Sequence, residues 1–289
     1  MNFSNILNEI SKADPEVFGK MDDRRSVLKN ITRKVALTAL PLALGTTFNK
    51  AYGQSNGTVI KALNYALGLE HLEAAFYKEA LAAINAGAFP TISPASPAYA
   101  ALDTIYKHET AHVAFLTSVI NSMSPNAAVA AATYDFTVGG QLPTFTDYTI
   151  LLAVAQVLED TGVRAYKGQA NASLMGSANS EVLTAALNIH SVEARHASHI
   201  RQMRATSAGG GASVKPWITL AQSGITAPSF ANFDGNYTGE ELTVQGTPAV
   251  NIVNIGASGI TAAGASEAFD EGLTDVQVAE LVKPFIVVA

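Results

Sequence analysis

Hydrophobic and polar positions alternate with helical period along four long stretches of the chain, roughly 57–86, 97–122, 145–172 and 179–205. In the first, "VIKALNYALGLEHLEAAFYKEALAAI" places apolar residues at three- and four-residue spacing until "NAGAFPTISPASP" stops it with glycine and proline. Ser96 suits the cap of the second stretch and Pro97 its first turn. Asn179 or Ser180 suits the cap of the fourth, and Arg201 and Arg204 fall near its end, where cations suit the helix dipole. About a dozen residues join the first two stretches and only a few join the last two, so each pair is expected to be antiparallel. The middle connection, roughly 24 residues, is long enough to run the length of a bundle. The pattern predicts an all-α fold over residues 54–206, a four-helix bundle with one long crossover.

The tail, 207–289, has a different pattern. "ELTVQGTPAVNIVNIG" alternates like short strands with turn residues between them, and "LTDVQVAELV" reads as one short helix capped by Thr274. The tail is expected to be an irregular cap packed on the bundle, or an oligomer contact, and not an independent domain. At the other end, residues 1–53 read as a leader. Arg24 and Arg25 precede the apolar run "VALTALPLALGTTF", and "AYG" at 51–53 supplies small residues for cleavage, which is the layout of a twin-arginine export signal. The run is short for a membrane span. An exported, periplasmic protein is the expectation.

Composition narrows the chemistry. The chain has 289 residues, 48% hydrophobic and 15% charged, enough for a large core and too apolar for disorder. Cysteine is absent, which excludes disulfides, thiolate nucleophiles and iron–sulfur clusters. The net charge of −6 becomes −9 once the leader's eight basic and five acidic residues are removed. That balance argues against nucleic acid and against stable contact with an anionic membrane.

All six histidines fall inside the four helical stretches, and two of them follow a glutamate by three residues: Glu109 and His112 in the second, Glu193 and His196 in the fourth. Residues i and i+3 share a helix face, so one metal ion can meet a carboxylate and an imidazole from a single turn. With 14 Glu and six His in the chain, chance gives roughly 0.3 such pairs, so two on alternate helices are informative. The other two helices match each other as well. "LEHLEAAFY" and "LEDTGVRAY" place Glu70 seven residues before Tyr77 and Glu159 seven before Tyr166. The chain is thus a twofold repeat of a helix with Glu, a loop, and a helix with Glu-x-x-His. The stripes carrying Glu70 and Glu159 are mostly apolar, so both carboxylates should face the core. Four buried carboxylates repel and are costly to desolvate, and two divalent cations match their charge.

A Glu from each of two helices plus Glu-x-x-His from each of the other two is the dimetal pattern of ferritin-like bundles. On "LNYALGLEHLEAAFY", "YKHETAHVAFL", "TYDFTV", "LLAVAQVLEDTGVRAY" and "HSVEARHASHIRQMR" the sequence resembles the ferritin-like superfamily. With its tail "EAFDEGLTDVQVAELVKPFI", it resembles the exported branch that includes desiccation-related proteins. The resemblance implies Glu70 and Glu159 as terminal ligands, Glu109 and Glu193 as bridging ligands, and His112 and His196 completing one metal each. It implies Tyr77 and Tyr166 as hydrogen-bond partners of the ligands or as electron donors; the residues alone equally allow core aromatics. The metals implied are two ions of Fe or Mn, and the reaction is redox chemistry on O₂ or peroxide, a small oxidant, in oxidative or desiccation stress. The alternative is a non-catalytic, stress-related protein whose metals only stabilise the bundle. Iron storage in a cage fits poorly, because the tail is unlike the short fifth helix of cage ferritins; a smaller homo-oligomer is compatible with the sequence.

Glu73 lies one turn from Glu70 but matches Gly162 in the second half, so a surface position or a place behind the ligands is expected of it. His71 and His108 adjoin ligand positions and should point away, to solvent or helix contacts. His199 is expected on the surface and Arg195 in an outward or inter-helix ion pair, and Arg164 and Arg195 are the nearest cations to the acidic set.

Overall fold

The computed structural model describes residues 56–170, 180–207, 214–255 and 259–287. The leader reading of 1–53 and the capping reading of Asn179 lie outside them. Four helices form the main body: α1 (Asn56–Asn85), α2 (Pro97–Met123), α3 (Tyr148–Gln169) and α4 (Ser180–Thr206). α1 packs along α2, α3 packs along α4, and α1 meets α3 across the bundle. Ser96 caps α2 through its side chain, accepting from the Tyr99 N–H at 3.1 Å, with Pro97 in the first turn.

α3 begins three residues later than the hydrophobic pattern suggested. Pro143 O accepts from the N–H groups of Thr146 and Asp147, which closes a turn there. Asp147 then caps the helix, accepting from Thr149 at 2.8 Å and Ile150 at 3.3 Å. A short acidic cap competing with the backbone outweighs an uninterrupted apolar run.

The apolar interior is split in two. One cluster gathers Val59, Leu63, Leu67, Leu116, Ile120, Val182 and Ile189 around one end of the bundle. The other gathers Leu72, Phe76, Leu102, Phe136, Leu152, Ile200 and Phe285 around the other end. Between them lies a belt of buried acids and histidines.

The tail lies against the far side of α3, and that is why 15 of the 22 residues of this helix are buried. A 3-10 segment, Pro228–Tyr237, stacks Phe233 on Phe285 with ring centroids 5.1 Å apart. Two two-residue strands follow, β1 (Val244–Gln245) and β2 (Val250–Asn251), paired antiparallel and largely exposed. Two short helices complete it, α5 (Ala262–Ser266) and α6 (Asp275–Val282). α6 carries the expected Thr274 cap as a full capping box with Gln277. The end of the chain is strapped to the crossover: Asp135 N–H donates to Phe285 O at 2.8 Å and Val287 N–H to Thr133 O at 2.9 Å.

Polar anchors fasten the tail to the bundle. Arg164, fully buried, donates from Nε to Glu271 O at 2.7 Å, from Nη2 to Thr238 O at 3.0 Å and from Nη1 to Asn236 O, and it pairs with Glu240 at 2.9 Å. Arg164 therefore turns away from the acidic belt. Arg201 and Arg204 do more than face a helix dipole. Both are buried; Arg201 is bidentate on Asp160, and Arg204 donates to the side chain of Gln156 and to Gly224 O at 3.0 Å. Where residues 272–273 cross the end of α3, no side chain fits. A Cβ on Gly168 would lie 1.8 Å from Leu273 O, and one on Gly272 would lie 2.6 Å from Gly168 N.

Candidate metal centre

Every helix of the bundle delivers acid to the central belt: Glu70 from α1, Glu109 from α2, Glu159 from α3 and Glu193 from α4, all with no exposed surface. The i, i+3 spacing brings His112 and His196 to the same level. His112 Nδ1 lies 3.0 Å from Glu70 Oε2, 3.2 Å from Glu109 Oε2 and 3.1 Å from Glu193 Oε1. His196 Nδ1 lies 2.8 Å from Glu109 Oε1 and 3.4 Å from one oxygen each of Glu159 and Glu193. All six residues predicted from the sequence are thus brought together.

They form two overlapping donor groups, Glu70–Glu109–His112–Glu193 and Glu109–Glu159–Glu193–His196, with the ligand atoms of each within 4.8 Å of one another. Glu109 and Glu193 belong to both. Several of these atoms are buried with no hydrogen-bond partner: Glu109 Oε1, Glu159 Oε2, both oxygens of Glu193, and His196 Nδ1. They approach closely without pointing at each other as donor and acceptor. Converging lone pairs of this kind suit cations between them. Mixed carboxylate and imidazole donors are the set expected for Fe, Mn or Zn.

The electrostatics show the same demand for positive charge. Burial pushes Glu70 well above the usual carboxylate range, and the Glu193 charge pushes it further. Burial also raises Glu159, to about 8, although His196 pulls against it. Burial opposes the charge of Glu109, but the hydrogen bond from His112 and the close positive imidazole of His196 win and hold it at about 2. Burial would lower both imidazoles, yet their carboxylate neighbours raise His112 and His196 to about 12. Without metal, the two histidines serve as the cations of the belt.

The tyrosines tie the two halves together reciprocally. Tyr77 on α1 donates to Glu159 Oε1 on α3 at 2.5 Å, and Tyr166 on α3 donates to Glu70 Oε1 on α1. Both phenols are buried, and burial followed by these carboxylates keeps them protonated far above the ordinary phenol range. Each therefore holds a proton against a carboxylate oxygen and fixes its orientation. The crossed pairing requires α1 and α3 to run antiparallel, with the halves related by an approximate twofold axis through the belt.

His108 makes a helix contact, one of the two places expected for it, and the contact is with a residue of the donor set. Its ring is exposed, but Nδ1 lies 2.9 Å from His196 Nε2 and the rings stack 5.2 Å apart. With His196 Nδ1 turned to the carboxylates, its Nε2–H is the donor and His108 the acceptor, an arrangement that fixes the ring of a ligating histidine. The signal available in the sequence was the adjacency of His108 to Glu109 on a helix facing α4. Glu73 is not on the surface; it is buried beside the belt. His71 makes a helix-to-crossover contact, Nε2 lying 3.2 Å from Val129 O, while Arg195 and His199 are exposed as expected.

Among the described residues no helix is long and apolar enough to cross a membrane. No curated protein and no solved structure matches the chain significantly. The profile of the ferritin-like domain matches residues 58–206, from the first turn of α1 to the last residue of α4. That span covers more than half of the chain and all six residues of the buried Glu/His belt, and with the bundle and its compatibility with a dimetal site it places this chain in the ferritin-like family.

Proposed function

We propose that this chain is an exported dimetal oxidoreductase that acts on O₂ or peroxide, as a ferroxidase or in the manner of a manganese catalase. The observation that carries the reading is the pair of donor groups sharing Glu109 and Glu193, a layout that serves two ions held side by side. Glu70 with His112 would complete one position, and Glu159 with His196 the other. Two bound Fe or Mn ions would supply one-electron redox chemistry toward a small oxidant. The protein residues supply the rest. Tyr77 and Tyr166 hold protons on Oη against Glu159 and Glu70 and keep both carboxylates aimed inward. Apolar clusters on either side keep water from the belt. His108 holds His196 in the tautomer that leaves Nδ1 for metal.

Export rests on the twin arginines Arg24 and Arg25 before the apolar run at 35–48, and fits a periplasmic role in oxidative or desiccation stress. N-terminal sequencing of protein recovered from the envelope tests it: a chain still beginning at Met1, or one confined to the cytoplasm, removes this part of the proposal. The redox reading is tested by adding hydrogen peroxide to Mn-loaded and Fe-loaded protein. O₂ evolution from the first or metal oxidation in the second is expected. If both forms bind two ions and neither reacts, the metals only brace the bundle.

A further inference from the structure

Glu73 is buried beside the belt and belongs to neither donor group. It is 2% exposed, its Oε2 has no hydrogen-bond partner, and the charges that act on it most strongly are the carboxylates of Glu193, Glu159, Glu109 and Glu70. No cation of the chain is among them. A carboxylate in that setting is costly unless a positive charge comes to it. The fold nevertheless makes room for it. Glu159, Gly162 and Tyr166 each stand 89 residues after Glu70, Glu73 and Tyr77, so the approximate twofold matches Glu73 with a glycine. A Cβ on Gly162 would lie 2.9 Å from Glu73 Oε1. Because Tyr166 reaches Glu70 and Tyr77 reaches Glu159, residue 73 stands opposite 162–163, at the level between the two donor groups. Glu193 and Glu159 act on it more strongly than Glu70 of its own helix does.

We propose that Glu73 is a fifth carboxylate donor to the metal pair. It enters from the α1–α3 side toward the ion held by Glu159 and His196, and it makes the two metal positions unequal. The inference rests on the dimetal reading above. One half of the repeat supplies the donor and the other supplies the space for it. The site is symmetric in its six shared ligands and asymmetric in the seventh.

Mn(II) titration in competition with a chelator tests this on the wild-type chain, Glu73→Gln and Gly162→Ala. Wild type should bind two ions. Glu73→Gln, nearly isosteric, should lose about tenfold or more in affinity for one ion and leave the other within about twofold. Gly162→Ala keeps the charge but displaces the carboxylate, and should weaken the same ion. Metal-free Glu73→Gln should melt no lower than wild type, since it removes an unpaired buried acid, and this separates a lost ligand from a damaged fold. Two ions in wild type with both affinities unchanged in Glu73→Gln overturns the inference alone. Wild-type protein that takes up no Mn(II) or Fe(II) overturns the dimetal reading and this inference with it.

Discussion

Loading the centre with Mn(II) at pH 7 should expel about two to five protons per chain. In the metal-free protein the carboxylates hold His112 and His196 up at about 12, so both are protonated at neutral pH. Each must release the proton on its ligating nitrogen before it binds a metal, which sets the lower figure. Glu159 at about 8, and Glu70 and Glu73 well above their ordinary values, carry further protons and set the upper one. Glu109, at about 2, contributes none. Each proton released raises the apparent binding constant tenfold per pH unit, so two correspond to about 100-fold, or about 2.7 kcal/mol, across one unit. Calorimetric titration in two buffers of different protonation enthalpy reads the number directly. The metal-free fold should respond to pH in the opposite sense. Both histidines have raised folded values, so their contribution is complete below the ordinary imidazole value and fades as pH rises through about 12. The raised value of Glu159 makes ionisation a cost to the fold, incurred as pH rises from about 4.5 through about 8. Release of fewer than one proton per chain would refute the charge assignment, because the imidazoles would then be neutral before the metal arrives.

Three substitutions probe the rest of the structure. Tyr77→Phe removes the donor to Glu159 Oε1 and should weaken Mn(II) binding about tenfold, read by the same titration; unchanged affinity would make the phenol a core aromatic only. Arg164→Met leaves Glu240 buried without its partner and frees three backbone carbonyls, so urea unfolding should show a loss of about 3–5 kcal/mol, and an unmoved midpoint would contradict the anchoring role. Gly168→Ala forces a Cβ against Leu273 O, costing about 1–3 kcal/mol or more, and limited proteolysis should release the tail faster than in wild type; equal cleavage rates would count against the close crossing.

The bundle and its belt were legible because both depend on spacing within a helix. Glu109 with His112 and Glu193 with His196 share a face by backbone geometry alone, and the matched Glu70–Tyr77 and Glu159–Tyr166 stripes revealed the repeat. Partnerships between helices were less legible. His108 points toward α4 because of how α2 and α4 are rotated against each other, which its adjacency to Glu109 hints at but does not fix. Glu73 read as a surface residue or one behind the ligands because its counterpart is Gly162; in the fold, the glycine is the space the acid occupies. The apolar run through α3 did carry a signal for the tail, since "LLAVAQVL" is too apolar on all sides for a helix with one wet face. Which segment covers it, through Arg164, Arg201 and Arg204, is a matter of contacts distant in sequence.

The division of the apolar interior has a consequence for how the molecule comes apart. Two separate hydrophobic nuclei joined through a layer of mutually repelling acids are weakly coupled, so metal-free chains should melt in a broad transition or in two steps. Ions seated in that layer would rivet the nuclei together. A single sharp calorimetric peak should then appear on loading, and the width of the melt, as well as its midpoint, would report occupancy.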